Sequence, residues 1–204
     1  MKLLITLIIV AATLWFLMFS PLTAPYVPFW YAMTFSALVL SVSSSLAAPG
    51  WWRTVKWGNG NLLLGIVIAI ALWGIFWLGD YFSQMLFGFA RRQVDMIYGM
   101  KENFSPWVLS ALLLFIIGPA EEIFWRGYVQ KQLSARINPN FGWIMTILLY
   151  TLVHVSSCNF MLVMASMVCG VVWGTLYRFF PDRFAAIIFS HALWDAAVFV
   201  WFPI

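Results

Sequence analysis

Long runs of hydrophobic residues, separated by short segments with Pro, Gly and charged residues, make up most of the 204-residue chain. A helix needs about 20 apolar residues to cross the hydrocarbon core of a bilayer, so runs of this length predict membrane-spanning helices. The predicted spans are 3–20, 27–47, 61–79, 107–126, 141–157, 159–178 and 184–203. The apolar segment 81–90 is too short to span alone and is interpreted as an interfacial or re-entrant piece, as the tail of a longer third helix, or as part of an eighth span.

This pattern predicts an all-α fold, a polytopic transmembrane helix bundle of about seven spans, or eight if 81–90 contributes one. The composition agrees, because 64% of the residues are hydrophobic and only 9% are charged, whereas soluble domains are near half apolar and about a quarter charged. Neither an internal repeat nor a low-complexity linker divides the chain, so residues 1–204 are predicted to form a single integral membrane domain. The run after Lys2 lacks a convincing signal-peptide cleavage site, which favours an uncleaved first helix.

The net charge of +4 comes from cations scattered between apolar runs, so it predicts membrane orientation and contact with the lipid bilayer, and no nucleic-acid partner. Placing the N-terminus in the cytoplasm puts most of the cations on the cytoplasmic side. These are Lys2, Arg53, Lys56, Arg126, Lys131, Arg136, Arg178 and Arg183. The other side then holds only Arg91, Arg92 and Lys101. The chain is therefore predicted to be a multi-pass cell-membrane protein with its N-terminus inside, and its short length favours a bacterial inner membrane.

Ionisable side chains inside the predicted spans need a partner or a cavity, because exposing them to lipid costs several kcal/mol. They fall in three places: Glu121, Glu122 and Arg126 on the fourth span, His154 on the fifth, and His191 and Asp195 on the last. Both histidines of the protein are among them. Such groups on separate spans predict a polar cavity within the helix bundle.

Helical spacing divides these residues by role. Glu122 and Arg126 are four residues apart, acid before base, and are predicted to form mainly a structural ion pair. Glu121 lies about 100° round the helix from Glu122, so it is the acid left for chemistry. His191 and Asp195 share one face of the last span. Taken alone, that pair fits a buried hydrogen bond as well as a catalytic element, and His154 alone fits a packed histidine.

The motifs Glu121-Glu122-xxx-Arg126, Tyr150-xxx-His154 and His191-xxx-Asp195 together resemble the CPBP family of intramembrane proteases. That family includes type II CAAX prenyl endopeptidases and bacterial bacteriocin-immunity (Abi) relatives. The resemblance covers residues 107–204, the predicted protease core. Two positions depart from the family pattern, which usually has Phe where this chain has Tyr150 and often has Asn where it has Asp195.

The resemblance implies an intramembrane endopeptidase that hydrolyses a peptide bond of a membrane-associated or lipidated peptide or protein. Glu121 would be the general base, with His154 helping to hold the water. His191 would donate to the oxyanion, and Asp195 would orient His191. The alternative is a zinc protease in which Glu121, His154, His191 and Asp195 hold the metal, since two histidines and two carboxylates suit zinc. The chain lacks an HExxH helix, so a metal-independent site is favoured and no cofactor is assigned.

The predicted boundaries also suggest a side of entry. Glu121 lies about 8 Å from the inner end of its span and His191 about 10 Å from the inner start of its own. His154 lies about 20 Å deep by the same count, which disagrees with the other two. If the cavity opens beside Glu121 and His191, substrate is expected from the cytoplasmic side.

Three other functions compete with the protease. The bundle could be a non-enzymatic immunity or partner-binding protein, a transporter, or a structural scaffold. A transporter is expected to carry broken helices in repeated halves, a pattern that this sequence does not show. The sequence selects neither the substrate nor the oligomeric state.

Overall fold

A computed structural model describes residues 1–102 and 104–204, and these contain helices and no strand. The main helices are α1 (Lys2–Phe19), α2 (Phe29–Ala47), α3 (Asn59–Leu86), α4 (Ala90–Gly99), α5 (Pro106–Arg136), α6 (Pro139–Leu152), α7 (Phe160–Phe179) and α8 (Phe184–Ala196). Short 3₁₀ turns, Ala24–Tyr26, Trp51–Thr54, Val155–Ser157 and Pro181–Arg183, join several of them. The all-helical fold class predicted from the sequence is confirmed.

Helix α5 is continuous but irregular. Its α-helical segments, Pro106–Leu112, Gly118–Phe124 and Lys131–Arg136, alternate with wider π-helical segments, Leu113–Ile117 and Trp125–Gln130. A third π segment, Ala197–Trp201, extends α8. Because π segments shift the side chains that follow them and are frequent at functional sites, the α-helical turn Gly118–Phe124 between two of them is a distinctive location.

Successive long helices run in opposite directions, which gives the bundle two ends. At one end Arg183 donates to Asn61 and Arg178 to Asn140; this end, with Lys2, Lys56 and Arg136, is called the basic end. At the opposite end, α4 lies across the bundle, and its Gln93 accepts hydrogen bonds from the side chain of Asn159 and from the backbone of Met161. Tyr98 of α4 also accepts from the backbone of Ile204. This second end is called the α4 end.

The helix bounds change three of the predicted spans. Residues 81–86 belong to the continuous helix α3, so the tail of a longer third helix is the correct interpretation of most of 81–90. Helix α5 continues to Arg136, ten residues past the predicted end at 126. Among the described residues, six helices are long and apolar enough to cross a membrane. Helix α6, in the region of the predicted span 141–157, has 14 residues and is not one of the six.

The first and third motifs, Glu121-Glu122-xxx-Arg126 and His191-xxx-Asp195, lie beside a close contact between α5 and α8. A Cβ added to Gly118 would lie 2.6 Å from the Cα and 2.9 Å from the backbone nitrogen of Ala192. No side chain fits at this distance, so glycine at position 118 sets the separation of the two helices. Because Glu121 and Glu122 follow on α5 and His191 precedes Ala192 on α8, this contact places the motifs side by side.

We therefore expect Gly118→Ala to lower the free energy of unfolding by about 1–3 kcal/mol, since the added methyl must push against backbone. The measurement is denaturant unfolding of the purified protein in detergent micelles. Gly74→Ala on α3 is the matched control, because a Cβ there meets nothing within 4 Å. That control should be neutral or stabilising by up to about 1 kcal/mol. Equal effects of the two substitutions would contradict the close-contact role of Gly118.

Candidate active site

A cavity of about 500 Å³ lies inside the bundle and is lined mostly by apolar side chains. Glu121, Tyr150, His154, His191 and Asp195 all contribute to its lining, whereas Glu122 and Arg126 do not. The structure thus brings the predicted catalytic residues of the fourth, fifth and last spans to one space. It also separates the two neighbouring glutamates, as the 100° turn between them on a helix requires.

Glu122 lies at the centre of a buried ionic network beside this cavity. Its Oε1 accepts a hydrogen bond from Arg126 Nη1 at 2.8 Å and contacts His191 Nδ1 at 2.7 Å. Glu122 is fully buried and Arg126 is 1% exposed. Arg126 also donates from Nη2 to the carbonyl oxygen of Cys169 on α7 at 3.4 Å. The network therefore ties α5 to both α7 and α8.

His191 is fixed on two sides. Its ring stacks on the indole of Trp173 with 3.7 Å between centroids and 15° between planes. Trp173 is held in turn by donating from Nε1 to Ser190 Oγ at 3.1 Å. With Nδ1 on Glu122, the second ring nitrogen, Nε2, faces Asp195 Oδ2 at 3.5 Å. The sequence assigned the orientation of His191 to Asp195, and the structure adds Glu122 as the residue with the shorter contact.

Glu121 differs from Glu122 in its partners. Tyr150 Oη donates to Glu121 Oε2 at 3.1 Å. Glu121 is 8% exposed, and that exposure is to the cavity that it lines. A carboxylate next to such a cavity can contact a water molecule or a substrate, which Glu122 cannot do.

Both ring nitrogens of His154 have protein partners. Trp15 Nε1 of α1 donates to His154 Nε2 at 3.1 Å. Because an indole N–H can only donate, His154 Nε2 is an acceptor and Nδ1 carries the proton. Nδ1 then donates to the carbonyl oxygen of Tyr150 at 2.8 Å. In this arrangement the two hydrogen bonds of His154 connect the end of α6 to the end of α1. The contact of His154 with a water molecule stays a prediction.

The residues named for a zinc site do not fit the metal in this arrangement. No group of three or more His, Cys, Asp or Glu side chains suited to a metal occurs among the described residues. His154 Nε2 is bound to Trp15, and His191 Nδ1 is bound to Glu122. A metal held by Glu121, His154, His191 and Asp195 would need His154 to give up its hydrogen bond from Trp15 or to the Tyr150 carbonyl oxygen, whereas His191 could use Nε2, which faces Asp195.

The cavity extends from Glu121 towards the α4 end. Its lining there includes Phe19, Phe87, Tyr98 and Phe160. The sequence predicts access from the side of Lys2, whereas the cavity lining reaches the opposite end. The prediction used a shorter α5. Counted from Arg136, the observed end of α5, Glu121 lies about 22 Å from the basic end. Counted from Pro139, His154 also lies about 22 Å from the basic end, so the depths of Glu121 and His154 agree. Arg126, predicted to lie in a cytoplasmic segment, is inside the bundle.

Sequence reasoning missed contributions from the first half of the chain and from two aromatic residues. Trp15 of α1 bonds to His154, although the first three spans carried no motif. A signal existed, since a Trp within an otherwise aliphatic span needs an acceptor for its N–H. Trp173 had no such signal, because a stacking partner is not visible in helical spacing.

Comparison with protein families matches residues 103–197 to the model described as type II CAAX prenyl endopeptidase Rce1-like. The match covers all three motifs that carried the resemblance and leaves α1 to α4 outside it. No curated protein and no solved structure matches the chain.

The ionic network predicts a strong asymmetry between two arginines of α5. Arg126→Met removes the cation that pairs with fully buried Glu122, and we expect a loss of about 3–5 kcal/mol in the free energy of unfolding. Arg136→Met, at the exposed end of the same helix, should cost less than about 1 kcal/mol. Denaturant titration in detergent micelles measures both.

A second arm of this experiment adds Glu122→Gln to Arg126→Met. Part of the lost stability should return, because the unpaired buried charge is removed along with its partner. Similar losses for Arg126→Met and Arg136→Met would show that the buried ion pair contributes no more to the free energy of unfolding than an exposed arginine does.

Proposed function

We propose that this protein is an intramembrane endopeptidase with Glu121 as its general base. The match of residues 103–197 to the Rce1-like type II CAAX prenyl endopeptidase model, which describes a family of proteases, supports this proposal. The observation that carries the proposal is that two adjacent glutamates have different contacts. Glu122 is occupied by Arg126 and His191, whereas Glu121 lines the cavity. Only Glu121 of this pair can receive a proton from a water molecule in the cavity.

In the proposed reaction, Glu121 takes a proton from a water molecule whose oxygen attacks the scissile carbonyl. The carbonyl oxygen becomes an oxyanion as the new C–O bond forms. His191 is positioned to donate to it from Nε2 when that nitrogen carries a proton, while Nδ1 stays on Glu122. The proton on Glu121 then passes to the leaving amine as the C–N bond breaks, which returns the carboxylate.

Asp195 has a supporting part in this proposal. Its Oδ2 lies 3.5 Å from His191 Nε2, long for a hydrogen bond but close enough to stabilise a proton on that nitrogen. An ionised Asp195 would repel an oxyanion at contact distance, so the oxyanion is assigned to His191 alone.

The lining of the cavity supports an apolar substrate. One wall comes from α3, with Ile75, Phe82 and Leu86, and the facing wall from α7, with Met161 and Met164. Phe82 and Leu86 are 55% and 72% exposed on the outside of the bundle, where lipid would surround them. We propose that the substrate is a peptide carrying a lipid chain or an apolar membrane segment, which these walls accommodate beside Glu121.

We also propose that the basic end lies in the cytoplasm. Lys2, Arg53, Lys56, Arg136 and Arg183 lie at or next to that end, whereas the cations Arg91, Arg92 and Lys101 of the α4 end stand among the acids Asp80, Asp95 and Glu102. This asymmetry favours the basic end for the cytoplasmic side. Because the cavity extends to the α4 end, the proposed substrate approaches from the non-cytoplasmic leaflet.

The proposed base is tested by Glu121→Gln, which keeps the size of the side chain and removes its basicity. We expect kcat for a library of membrane-associated reporter peptides to fall by at least about 100-fold, the usual contribution of a general base. Glu102→Gln, at an exposed glutamate outside the cavity lining, is the matched control and should leave kcat unchanged. Cleavage that persists in Glu121→Gln would overturn the proposal.

The same assay with a strong chelator separates this mechanism from the zinc alternative. Activity retained with chelator supports a metal-independent Glu121 site. Activity lost with chelator and restored by added zinc assigns the reaction to a metalloprotease instead. Absence of cleavage by the wild-type protein across the peptide library, with binding of a peptide retained, would favour a non-enzymatic immunity protein.

Orientation is tested with two matched acidic positions at opposite ends. Glu102→Cys and Asp182→Cys are each made in a Cys158→Ser background, since Cys158 is the exposed cysteine and Cys169 is buried. A membrane-impermeant maleimide should label Glu102→Cys in intact cells and Asp182→Cys only after permeabilisation. The reverse pattern would place the α4 end, and the cavity, on the cytoplasmic side.

A further inference from the structure

The side chain at position 150 carries a hydroxyl where the resembled motif usually has Phe. That hydroxyl makes a specific hydrogen bond inside the bundle, in which it donates to Glu121 Oε2 at 3.1 Å. Tyr150 is 5% exposed and lines the same cavity as Glu121. The contact therefore joins α6 to α5 at the carboxylate assigned to the chemistry.

The ring of Tyr150 is held from several directions. The guanidinium carbon of Arg126 lies over it at 4.8 Å from the centroid, within the range of a cation–π contact. Trp125 packs edge to face against it at 5.4 Å. On the α7 side, Gly170 leaves just enough room, since a Cβ there would lie 3.3 Å from Tyr150 Cδ1. A ring with these contacts presents its hydroxyl in one direction.

Arg126 connects the two glutamates through this ring. It donates to Glu122, which holds His191, and it lies over Tyr150, which donates to Glu121. The base and the proposed oxyanion donor are thereby positioned by the same guanidinium group.

We propose that Tyr150 is a positioning residue that holds the Glu121 carboxylate by its donated hydrogen bond and leaves Oε1 of Glu121 for the attacking water. This inference rests on the proposed function, because it assigns Tyr150 through the action of Glu121 as base. The hydrogen bond also satisfies one oxygen of that carboxylate in a cavity with mostly apolar walls.

The test is Tyr150→Phe, which removes one oxygen and keeps the ring contacts with Arg126 and Trp125. We expect kcat to fall about tenfold, because the carboxylate that activates the water loses the hydrogen bond that orients it. KM should stay within about twofold, since Tyr150 is not assigned to substrate binding.

Tyr128→Phe is the matched control. Tyr128 is a buried tyrosine of α5 outside the cavity lining, so its substitution should change neither kcat nor KM. A purely structural role of Tyr150 would disturb the cavity and change KM along with kcat, which would overturn the inference.

A second variant covers the case in which Tyr150→Phe does not fold. Gly170→Ala keeps the hydroxyl but forces the ring of Tyr150 to yield by a few tenths of an ångström. We expect a loss of about two- to fivefold in kcat from this displacement. Unchanged kcat would count against a positioning role.

The two proposals fail in different ways. If Glu121→Gln stays active, the base is elsewhere and the proposed function falls. If Glu121→Gln is inactive while Tyr150→Phe has the wild-type kcat, the proposed function stands and the assignment of Tyr150 is wrong.

Discussion

A single carboxylate, Glu122, holds the candidate site together. It is fully buried, and its Oε1 contacts both Arg126 and His191. A buried charge of this kind is tolerated only with close partners, so each of the three residues needs the others. The arrangement fixes His191 of α8 against α5 and leaves its Nε2 on the side of Asp195 and the cavity. The neighbouring Glu121 remains free of that network because helical geometry points it elsewhere.

The irregularity of α5 and its contact with α8 make this network geometrically consistent. The glutamates lie in a short α-helical segment between two π segments, and Arg126 lies within the second of these. Gly118 allows the backbone of Ala192 to approach one turn before the glutamates. The close approach brings His191 within 2.7 Å of Glu122. A larger residue at position 118 would separate the two helices that the buried charges connect.

The sequence is sufficient for the helical membrane fold, for the resemblance that the family model matches over residues 103–197, and for the identity of the polar residues that meet in the bundle. Hydrophobic run length alone carries the first of these, and three spaced motifs carry the second. The predicted fourth span ends at Arg126, ten residues before the end of α5, because a charged residue usually marks the end of a span. Arg126 is instead buried in the bundle as the ion-pair partner of Glu122, which the four-residue spacing also predicts. Contacts between distant segments, such as Trp15 with His154, could not be obtained from spacing within one helix.

The proposed function combines an ionic network with a mostly apolar cavity. In that proposal, water activation requires an ionised Glu121, whereas a lipid-like substrate requires mostly uncharged walls. Both needs are met because Tyr150 donates to the Glu121 carboxylate and because Glu122 and Arg126 stay outside the cavity lining. Measured along α5, Glu121 lies about 22 Å from the basic end. The cavity lining reaches the opposite end, where α4 contacts Asn159, Met161 and Ile204, and in the proposed function the substrate approaches Glu121 from that end.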